Sequence, residues 1–501
     1  MGVTQIASTA GSLARAAGDL LLRCDGDAGT SVRGLAYDSR AVADDDLFFC
    51  IPGIRSDGHL FAAGAVEAGA AALCVERPLG LGVPEIIVSD GRRAMGRMAG
   101  AFFGHPSAEL LLLGVTGTNG KTTTAWLLES VLRAAGHTTG LIGTVETHVA
   151  GRRRRGVRTT PESVDLHRLF AEMRAAGVEA VAMEVTSHGL ALHRVEGLRF
   201  ASAGFTNLSQ DHLDFHADME DYFAAKRSLF TRERAAAAAV NLDDPSGRRL
   251  CEMIDIPVLG FGTSPDAGVR ALAIHETPAG TAIAMSTPKG EVTVETALVG
   301  DFNVSNCLGA SASALQAGIG LEAIADGLAG AGSVPGRFEA VDRGQPFAVV
   351  VDYAHTPDSL DNVLREARRL ARRRGGRVVC VFGCGGDRDR GKRPLMGAVA
   401  ARRADIVVVT SDNPRSEDPE AILAEIVEGV VAVRPGGPDE RTPDRREAIG
   451  RALGGARSGD VVVIAGKGHE SGQELADGIV PFDDRAVAAE TLSALGWESG
   501  R

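Results

Sequence analysis

What this chain lacks narrows it first. Nowhere do about eighteen apolar residues run together, the length a helix needs to cross a bilayer. The N-terminal stretch MGVTQIASTAGSLARAAGDLLL has no basic segment leading into an apolar one. No membrane insertion and no signal peptide are expected, and the cytoplasm is the expected compartment. None of the seven cysteines (Cys24, Cys50, Cys74, Cys251, Cys307, Cys380, Cys384) forms a CxxC pair, and an odd number in 501 residues fits reduced thiols. Cys380 and Cys384 flank a VFG triplet, where a metal pair is open but buried small hydrophobes are the preferred reading. A basic excess is missing too: the net charge is −12, so no nucleic acid is expected as partner, and cationic sites must be local pockets for anionic ligands. Lysine itself is scarce. Of 53 basic residues only Lys121, Lys226, Lys289, Lys392 and Lys467 are Lys, so each stands against a strong arginine bias and points to a compact or deprotonatable amine.

What is present begins with GVTGTNGKTTTAW, Gly114 to Trp126, between the apolar run ELLLLGV and a helical pattern. A strand, a glycine turn and a helix make a phosphate site: backbone N–H groups close on the oxygens and the helix N-terminus adds partial positive charge. Lys121 would reach the terminal phosphates and the Thr122 hydroxyl would hold Mg²⁺. The spacing departs from GxxxxGK[ST], which needs glycine at Val115; here Gly114, Gly117 and Gly120 precede Lys121. Gly117, Thr118, Asn119, Gly120, Lys121, Thr122 and Thr123 are the expected ATP-binding loop.

With 44% hydrophobic residues and this length, roughly three domains are expected. Residues 1–107 read as a small α/β unit, in which DSR at 38–40 and GIRSDG at 53–58 are polar turns, plain connections being slightly favoured over ligand contacts. From 108 to 334, apolar β runs alternate with helical patterns, the signature of a mostly parallel sheet. Residues 269–299 break that rhythm and read as an antiparallel appendage. SVPGRFEAV marks a second boundary, and 335–501 carry four strand-then-polar-loop units, a further α/β domain of Rossmann-like type. Ligands of open α/β sheets bind just past the strand carboxyl ends.

Several loops fall there. EVTSHGL puts Glu184 at a strand end, and TNLSQDHLDFH supplies Asp211, His212, Asp214 and His216 after the next strand. So many polar groups at one strand end point to function. Lys226, in DYFAAKRSLF, reads on spacing alone as a surface lysine; the alternative is a desolvated amine that adds CO₂ to become a metal-binding carbamate. Arg152 to Arg155 read as a solvated hairpin. Thr159 and Thr160 before Pro161 either cap a helix or bind substrate. In GCGGDRDRGKRP and SDNPRSEDP, Arg390 and Arg415 could each grip a carboxylate bidentately.

Taken together, GTNGKTT, EVTSHGL, TNLSQDHLDFH, YFAAKRSLF, GDFNVSN, PGRFE, DYAHTPDSL and SDNPR, in this order over nearly the whole chain, resemble the Mur ligase family. DNPR resembles the amino-acid-selecting motif of the members that add diaminopimelate, and lysine-adding relatives lack its Arg. The resemblance implies three domains: UDP-binding, central ATPase and amino-acid-binding. It implies ATP as co-substrate, Mg²⁺ as cofactor, a monomer, and peptidoglycan precursor synthesis as the role. Lys121, Glu184, His212 and Lys226 would be catalytic. Thr122, Glu184, His212 and carbamylated Lys226 would arrange the metal, while Asn303, Arg337 and Asp352 would lie by ATP. Ser39 would sit by the uridine, and Thr159, Thr160, Thr186, Ser187 and Arg194 would contact the muramyl dipeptide. Arg390, Asp412, Asn413, Pro414, Arg415, Gly466 and Glu470 would hold diaminopimelate. Two positions depart from the family pattern, Arg158 before TTP and Leu192 two places before Arg194. A folylpolyglutamate synthase, which shares the loop and the chemistry, or a lysine-adding Mur ligase is the nearest rival; a P-loop ATPase or a nucleotide-binding module without ligase activity is the rival of another class.

Overall fold

The computed structural model describes residues 8–53, 56–156, 158–277 and 280–498, so Ile54 and Arg55 of the second polar turn and the first seven residues lie outside it. Three sheets organise the chain. In the first, β1 (Leu21–Asp25), β2 (Gly34–Ala36), β3 (Asp46–Phe49), β4 (Ala72–Val75) and β5 (Glu85–Val88) lie in the order β1-β5-β4-β3-β2, parallel except at β1. Helix α1 (Gly91–Phe102), capped by Asp90, covers one face. That core runs on into Val164 and Ala171 of the next unit, so the two are packed together by apolar contact.

The central sheet has eleven strands. They are β6 (Leu111–Thr116), β7 (Thr139–Ile142), β8 (Glu146–Val149), β9 (Arg152–Arg155), β10 (Ala180–Glu184), β11 (Ser202–Phe205), β12 (Ala238–Asn241), β13 (Val258–Gly262), β14 (Val269–Thr277), β15 (Gly280–Thr287) and β16 (Gly290–Thr296). Their order is β9-β8-β7-β10-β6-β11-β12-β13-β14-β15-β16, parallel from β7 to β14. The appendage expected over 269–299 is built onto the central sheet itself, antiparallel in its last two strands. β14 pairs parallel with β13, and β15 and β16 extend the same sheet antiparallel. The four arginines of β9 are exposed and hairpin-paired with β8, as a solvated edge requires. The inner strands read as continuous apolar runs because helices bury both faces. Helices α2 (Lys121–Ala134) and α6 (Asp301–Gln316) pack on one face, α3 (Ser163–Ala175) and α5 (Met219–Arg227) on the other, with the short α4 (Ser187–Ala191) following β10.

The third sheet comprises β17 (Glu339–Ala340), β18 (Ala348–Asp352), β19 (Val378–Phe382), β20 (Ile406–Val409), β21 (Glu440–Arg441) and β22 (Val461–Ala465), in the order β17-β18-β22-β19-β20-β21. Only β17 runs antiparallel. Helices α7 (Pro357–Arg374), α8 (Lys392–Arg403) and α9 (Arg445–Gly454) flank it, and a small hairpin, β23 (Gly472–Leu475) and β24 (Gly478–Pro481), follows β22. The carboxyl ends of the inner strands of the second and third sheets converge on one cavity.

Candidate active site

The cavity has a volume of about 600 Å³ and is lined from both sheets. On the central side the chain leaves β6 at Thr116 and enters α2 at Lys121. Gly117 and Gly120 have φ of +150° and +87°, and a Cβ at either would stand 1.8 Å from Thr206 Oγ1 or 2.4 Å from Asn306 Oδ1. Only glycine fits there. Gly114 has a different job: it lies within β6, where a Cβ would meet the Phe200 ring at 2.8 Å. No side chain caps α2, so its first N–H groups are left for a ligand. The loop is braced from behind, the Asn119 N–H donating to Asn207 Oδ1 at 2.9 Å and the Thr206 hydroxyl to the Asn119 carbonyl at 2.6 Å.

Lys121 folds back over this loop, donating to the Gly117 and Thr118 carbonyls at 3.0 and 2.9 Å; burial depresses its pKa. Thr122 Oγ1 lies 3.0 Å from Glu184 Oε2 and accepts from Arg337 Nη2 at 2.8 Å, which brings the third unit's first residues to the phosphate loop. Glu184 is buried and also accepts from the Thr144 N–H at 2.7 Å. His212 has φ +56° and is held neutral, burial driving its pKa down to about 3. Burial alone would raise its neighbour Asp211, but the surrounding cationic groups, Lys392 among them, and the His212 N–H at 2.9 Å act against it and hold the carboxylate below its ordinary value. Asp352 accepts from the N–H groups of Phe338 and Ala354 at 2.7 Å each, and burial raises its pKa.

Lys226 is not the surface lysine its spacing suggested. It is 1% exposed, behind the loop, and its Nζ donates to the Gly117 carbonyl at 2.7 Å. Helix α5 turns Tyr222, Phe223 and Lys226 inward together, and the Lys226 Nζ sits 4.4 Å from the Tyr222 ring centroid. Burial and the nearby Lys121 charge hold its pKa well below that of an ordinary lysine.

A polar wall follows. Thr160 Oγ1 donates to the Glu184 carbonyl and accepts the Thr186 N–H, both at 3.0 Å, and Thr159 Oγ1 lies 3.0 Å from Thr144 Oγ1. Arg194 and Arg158 share Glu162 Oε1 at 2.8 and 2.7 Å, so the departing Arg158 stands in the same wall. The third unit closes the cavity with Asp412, Asn413, Arg415, Gly466 and Glu470. Asn413 Nδ2 donates to Glu470 Oε2 at 2.9 Å, and the wholly buried Lys467 donates to Asn413 Oδ1 at 2.8 Å and to Glu470 Oε2 at 2.9 Å.

Nineteen of the expected site residues thus line one cavity, a grouping that spans both sheets. Gly117, Lys226 and Asn303 lie behind its wall, Asn303 accepting from Asn306 Nδ2 at 3.1 Å. Ser187 is buried with its hydroxyl unpartnered, and Pro414 and Ser39 are not lining residues. Arg390 is a correction: it is turned outward to Glu425, and Arg388, two residues earlier, lines the cavity instead, 3.6 Å from Asp214. Residues the motifs left unassigned also line it, among them Asn306, Tyr353 and His355. Asn306 was findable, since it lies one helical turn after Asn303.

A phosphate loop facing Asn413, Arg415 and Glu470 across a cleft between two α/β units is the arrangement that an ATP-dependent ligase needs. The match to known proteins makes this specific: residues 31–103, 115–314 and 336–468 fit, in turn, the models of the Mur ligase family catalytic domain, the Mur ligase middle domain and the Mur ligase glutamate ligase domain. The chain belongs to the Mur ligase family. It is 50% identical over 469 residues, 92% of this chain and 95% of the other, to the UDP-N-acetylmuramoyl-L-alanyl-D-glutamate–2,6-diaminopimelate ligase of Geobacillus kaustophilus. To the ligase of the same name from Streptomyces coelicolor it is 47% identical over 476 residues, 93% of each chain. Among solved structures, one of a ligase of that name superposes with a TM-score of 0.69 at 32% identity, covering 98% of this chain and all of the other. Folylpolyglutamate synthase from Mycobacterium tuberculosis, solved with ADP and AMPPCP, superposes at 0.61 with 18% identity over 80% of this chain and 95% of its own, a likeness of fold.

Proposed function

We propose that this chain joins 2,6-diaminopimelate to the D-glutamate γ-carboxylate of UDP-N-acetylmuramoyl-L-alanyl-D-glutamate, with ATP, in peptidoglycan precursor synthesis. The observation that carries the reading is the single cavity in which the phosphate loop faces Asn413, Arg415 and Glu470. Three domains, 1–107, 108–334 and 335–501, would bind the UDP end, ATP and the amino acid respectively. The relatives' shared name supports the same substrates.

A carboxylate is a poor electrophile at neutral pH. The γ-phosphoryl group therefore passes to a glutamate γ-oxygen: one P–O bond forms as the bond to ADP breaks, giving an acyl phosphate. Lys121, folded over the phosphate loop, and Arg337, bonded to Thr122, would offset charge on the transferring group. The neutral amine at the acceptor's L-centre then attacks the acyl carbon. The tetrahedral intermediate expels phosphate, the amine loses its proton, and an amide remains. Thr122, Glu184, His212 and the carbamate of Lys226 would hold Mg²⁺. The 3.0 Å approach of Thr122 Oγ1 to Glu184 Oε2 supplies the hard oxygen donors that ion prefers, and Lys226 joins them only once CO₂ has made its amine anionic. When bound, the metal neutralises phosphate charge. Arg415 and Asn413 read the acceptor's distal carboxylate, which lysine lacks. Acyl phosphates hydrolyse, and the contacts of Asn119 Nδ2 and Ser209 Oγ with Asp358 Oδ2, at 2.8 and 3.1 Å, support a third unit that shuts water out. The reading takes the cytoplasm as the compartment and a monomer as the working unit; no helix among the described residues is long and apolar enough to cross a membrane.

The test is phosphate release. It should require ATP, the UDP-muramyl dipeptide and diaminopimelate together. Strong release from ATP alone, or equal use of lysine as acceptor, sinks the reading.

A further inference from the structure

Arg415 does not meet the cavity as a free cation. Its Nε donates to Glu474 Oε2 at 2.6 Å and its Nη1 to the Gly386 carbonyl at 2.8 Å; neither contact uses Nη2. Glu474 lies on β23, and its main chain is engaged as well. Its carbonyl accepts the Arg415 N–H at 3.0 Å, and its own N–H donates to Asn413 Oδ1 at 3.0 Å. One residue thus clamps both members of the pair that faces the acceptor.

The bland reading is an ordinary rim ion pair, since the side chains of Arg415 and Glu474 are 24% and 44% exposed and such pairs contribute little stability. Two observations go beyond it. Arg415 has φ +54°, a left-handed backbone that a non-glycine residue keeps only where its surroundings impose it. The opposite wall is also cut to fit, because a Cβ at Gly385 would stand 3.0 Å from Arg415 Nη1. The guanidinium is placed from the hairpin side by Glu474 and from the other side by the glycine turn.

Placement has a chemical consequence. A guanidinium presents two bidentate edges to a carboxylate, Nε with Nη2 and Nη1 with Nη2. With Nε filled by Glu474 and one Nη1 hydrogen by the Gly386 carbonyl, an incoming carboxylate is left the terminal edge, through Nη2 and the second Nη1 hydrogen. The acceptor's chain direction is set by the amine that must reach the acyl phosphate. With carboxylate and chain both fixed, inverting the distal carbon exchanges its ammonium and its hydrogen relative to Asn413 and Glu470. We propose that Glu474 is a specificity-determining positioning residue: by filling the Nε side of Arg415 it fixes the edge that the acceptor's distal carboxylate uses, and so makes the site select the configuration at that carbon. This rests on the acceptor reading above.

The test uses full-length wild type, Glu474→Ala and Glu474→Gln, with saturating ATP and UDP-muramyl dipeptide, and meso-diaminopimelate, LL-diaminopimelate and lysine as acceptors. Glu474→Ala should raise KM for the meso isomer about tenfold and shrink the discrimination between isomers by about tenfold or more, with KM for ATP constant within about twofold as the control for folding. Glutamine, whose amide oxygen still accepts from Nε, should stay near wild type. An alanine variant that keeps the wild-type isomer ratio overturns the inference even if its KM rises, because that is what a merely structural contact would do. Wild type that uses lysine as readily as diaminopimelate refutes the acceptor reading and this inference with it; wild type that rejects lysine while the alanine variant keeps its ratio refutes Glu474 alone.

Discussion

Replacing Lys226 by methionine should give a protein that is folded, no less stable than wild type, and inactive. The sign follows from the surroundings. The lysine is buried with one hydrogen-bond acceptor, the Gly117 carbonyl, for the three donors of an ammonium, and no carboxylate forms an ion pair with it among the described residues. Burial and Lys121 both disfavour the charge, and only Asp211 opposes them. Exchanging a poorly compensated buried charge for an apolar chain is neutral or stabilising by about 1–4 kcal/mol, whereas breaking a satisfied pair costs about 3–5 kcal/mol. The pH dependence supplies a second sign. Between the depressed folded pKa and the ordinary lysine value of 10.5, unfolding takes up a proton, so wild-type stability rises with pH across that window. The variant lacks this slope, and its advantage grows as pH falls. Urea titrations at two pH values in bicarbonate-free buffer measure both signs. Phosphate release with both substrates should fall on the order of a hundredfold, the scale of losing a positioned charge at a reacting centre. ¹³C-bicarbonate should give a carbamate resonance in wild type that the variant lacks. A methionine variant several kcal/mol less stable than wild type would refute the reasoning, because the amine would then be charged and satisfied in the fold.

Arg415→Ala removes a charge-assisted contact worth about 1.5–3 kcal/mol, so acceptor KM should rise roughly tenfold to a hundredfold with KM for ATP constant; an unchanged acceptor KM removes its assigned role. His148 lies between Glu129, 2.9 Å from Nδ1, and Glu146, 2.7 Å from Nε2. Burial alone would lower its pKa, but the two carboxylates outweigh it and raise it. Its contribution to stability is therefore complete below the unfolded value near about 6.5 and lost as pH rises through the raised one, so the gap between wild type and His148→Gln should close with increasing pH; a constant gap counts against the pair. Arg445 and Asp484 are both fully buried, joined at 2.8 and 2.7 Å, and Arg445 also donates to the Ser411 and Ala465 carbonyls. Asp484→Ala should cost about 3–5 kcal/mol in urea denaturation, and a loss below about 1 kcal/mol would mean the pair does not anchor the strand ends at Ser411 and Ala465.

What was legible in the chain was local. The phosphate loop could be read because three constraints coincide within ten residues: an apolar strand, glycines where no Cβ fits, and a helix start without a side-chain cap. The alternation of apolar runs and helical patterns likewise announced parallel sheets, since burial on both faces removes the polar alternation of a half-exposed strand. What failed was direction. An amphipathic pattern over 218–227 gives a helix and its Asp218 cap, but not which face meets a neighbour, and Lys226 went to the buried one. Arg388 and Arg390 have the same chemistry two residues apart in one loop; the chain's path there sends the first to the cavity and the second to Glu425.

Direction also decides what the site is. Strand ends can be located in sequence, yet nothing local states that the ends of one sheet face those of another some two hundred residues on. That fact resides in a few long-range contacts, Arg337 to Thr122 and Asn119 to Asp358 among them. Each of these joins a residue of the phosphate loop to one of the third unit, so the same bonds tie that loop to the unit that carries residues 412–415. A substitution at Asp358 should therefore disturb ATP and acceptor affinities together, whereas one at Arg415, held by its own hairpin and glycine turn, should disturb only the acceptor. On the proposed reading, that division between coupled and private contacts is the physical form of selectivity in this cleft: the sheets would bring the reactants together, and the loop at 412–415 would decide which amine is admitted.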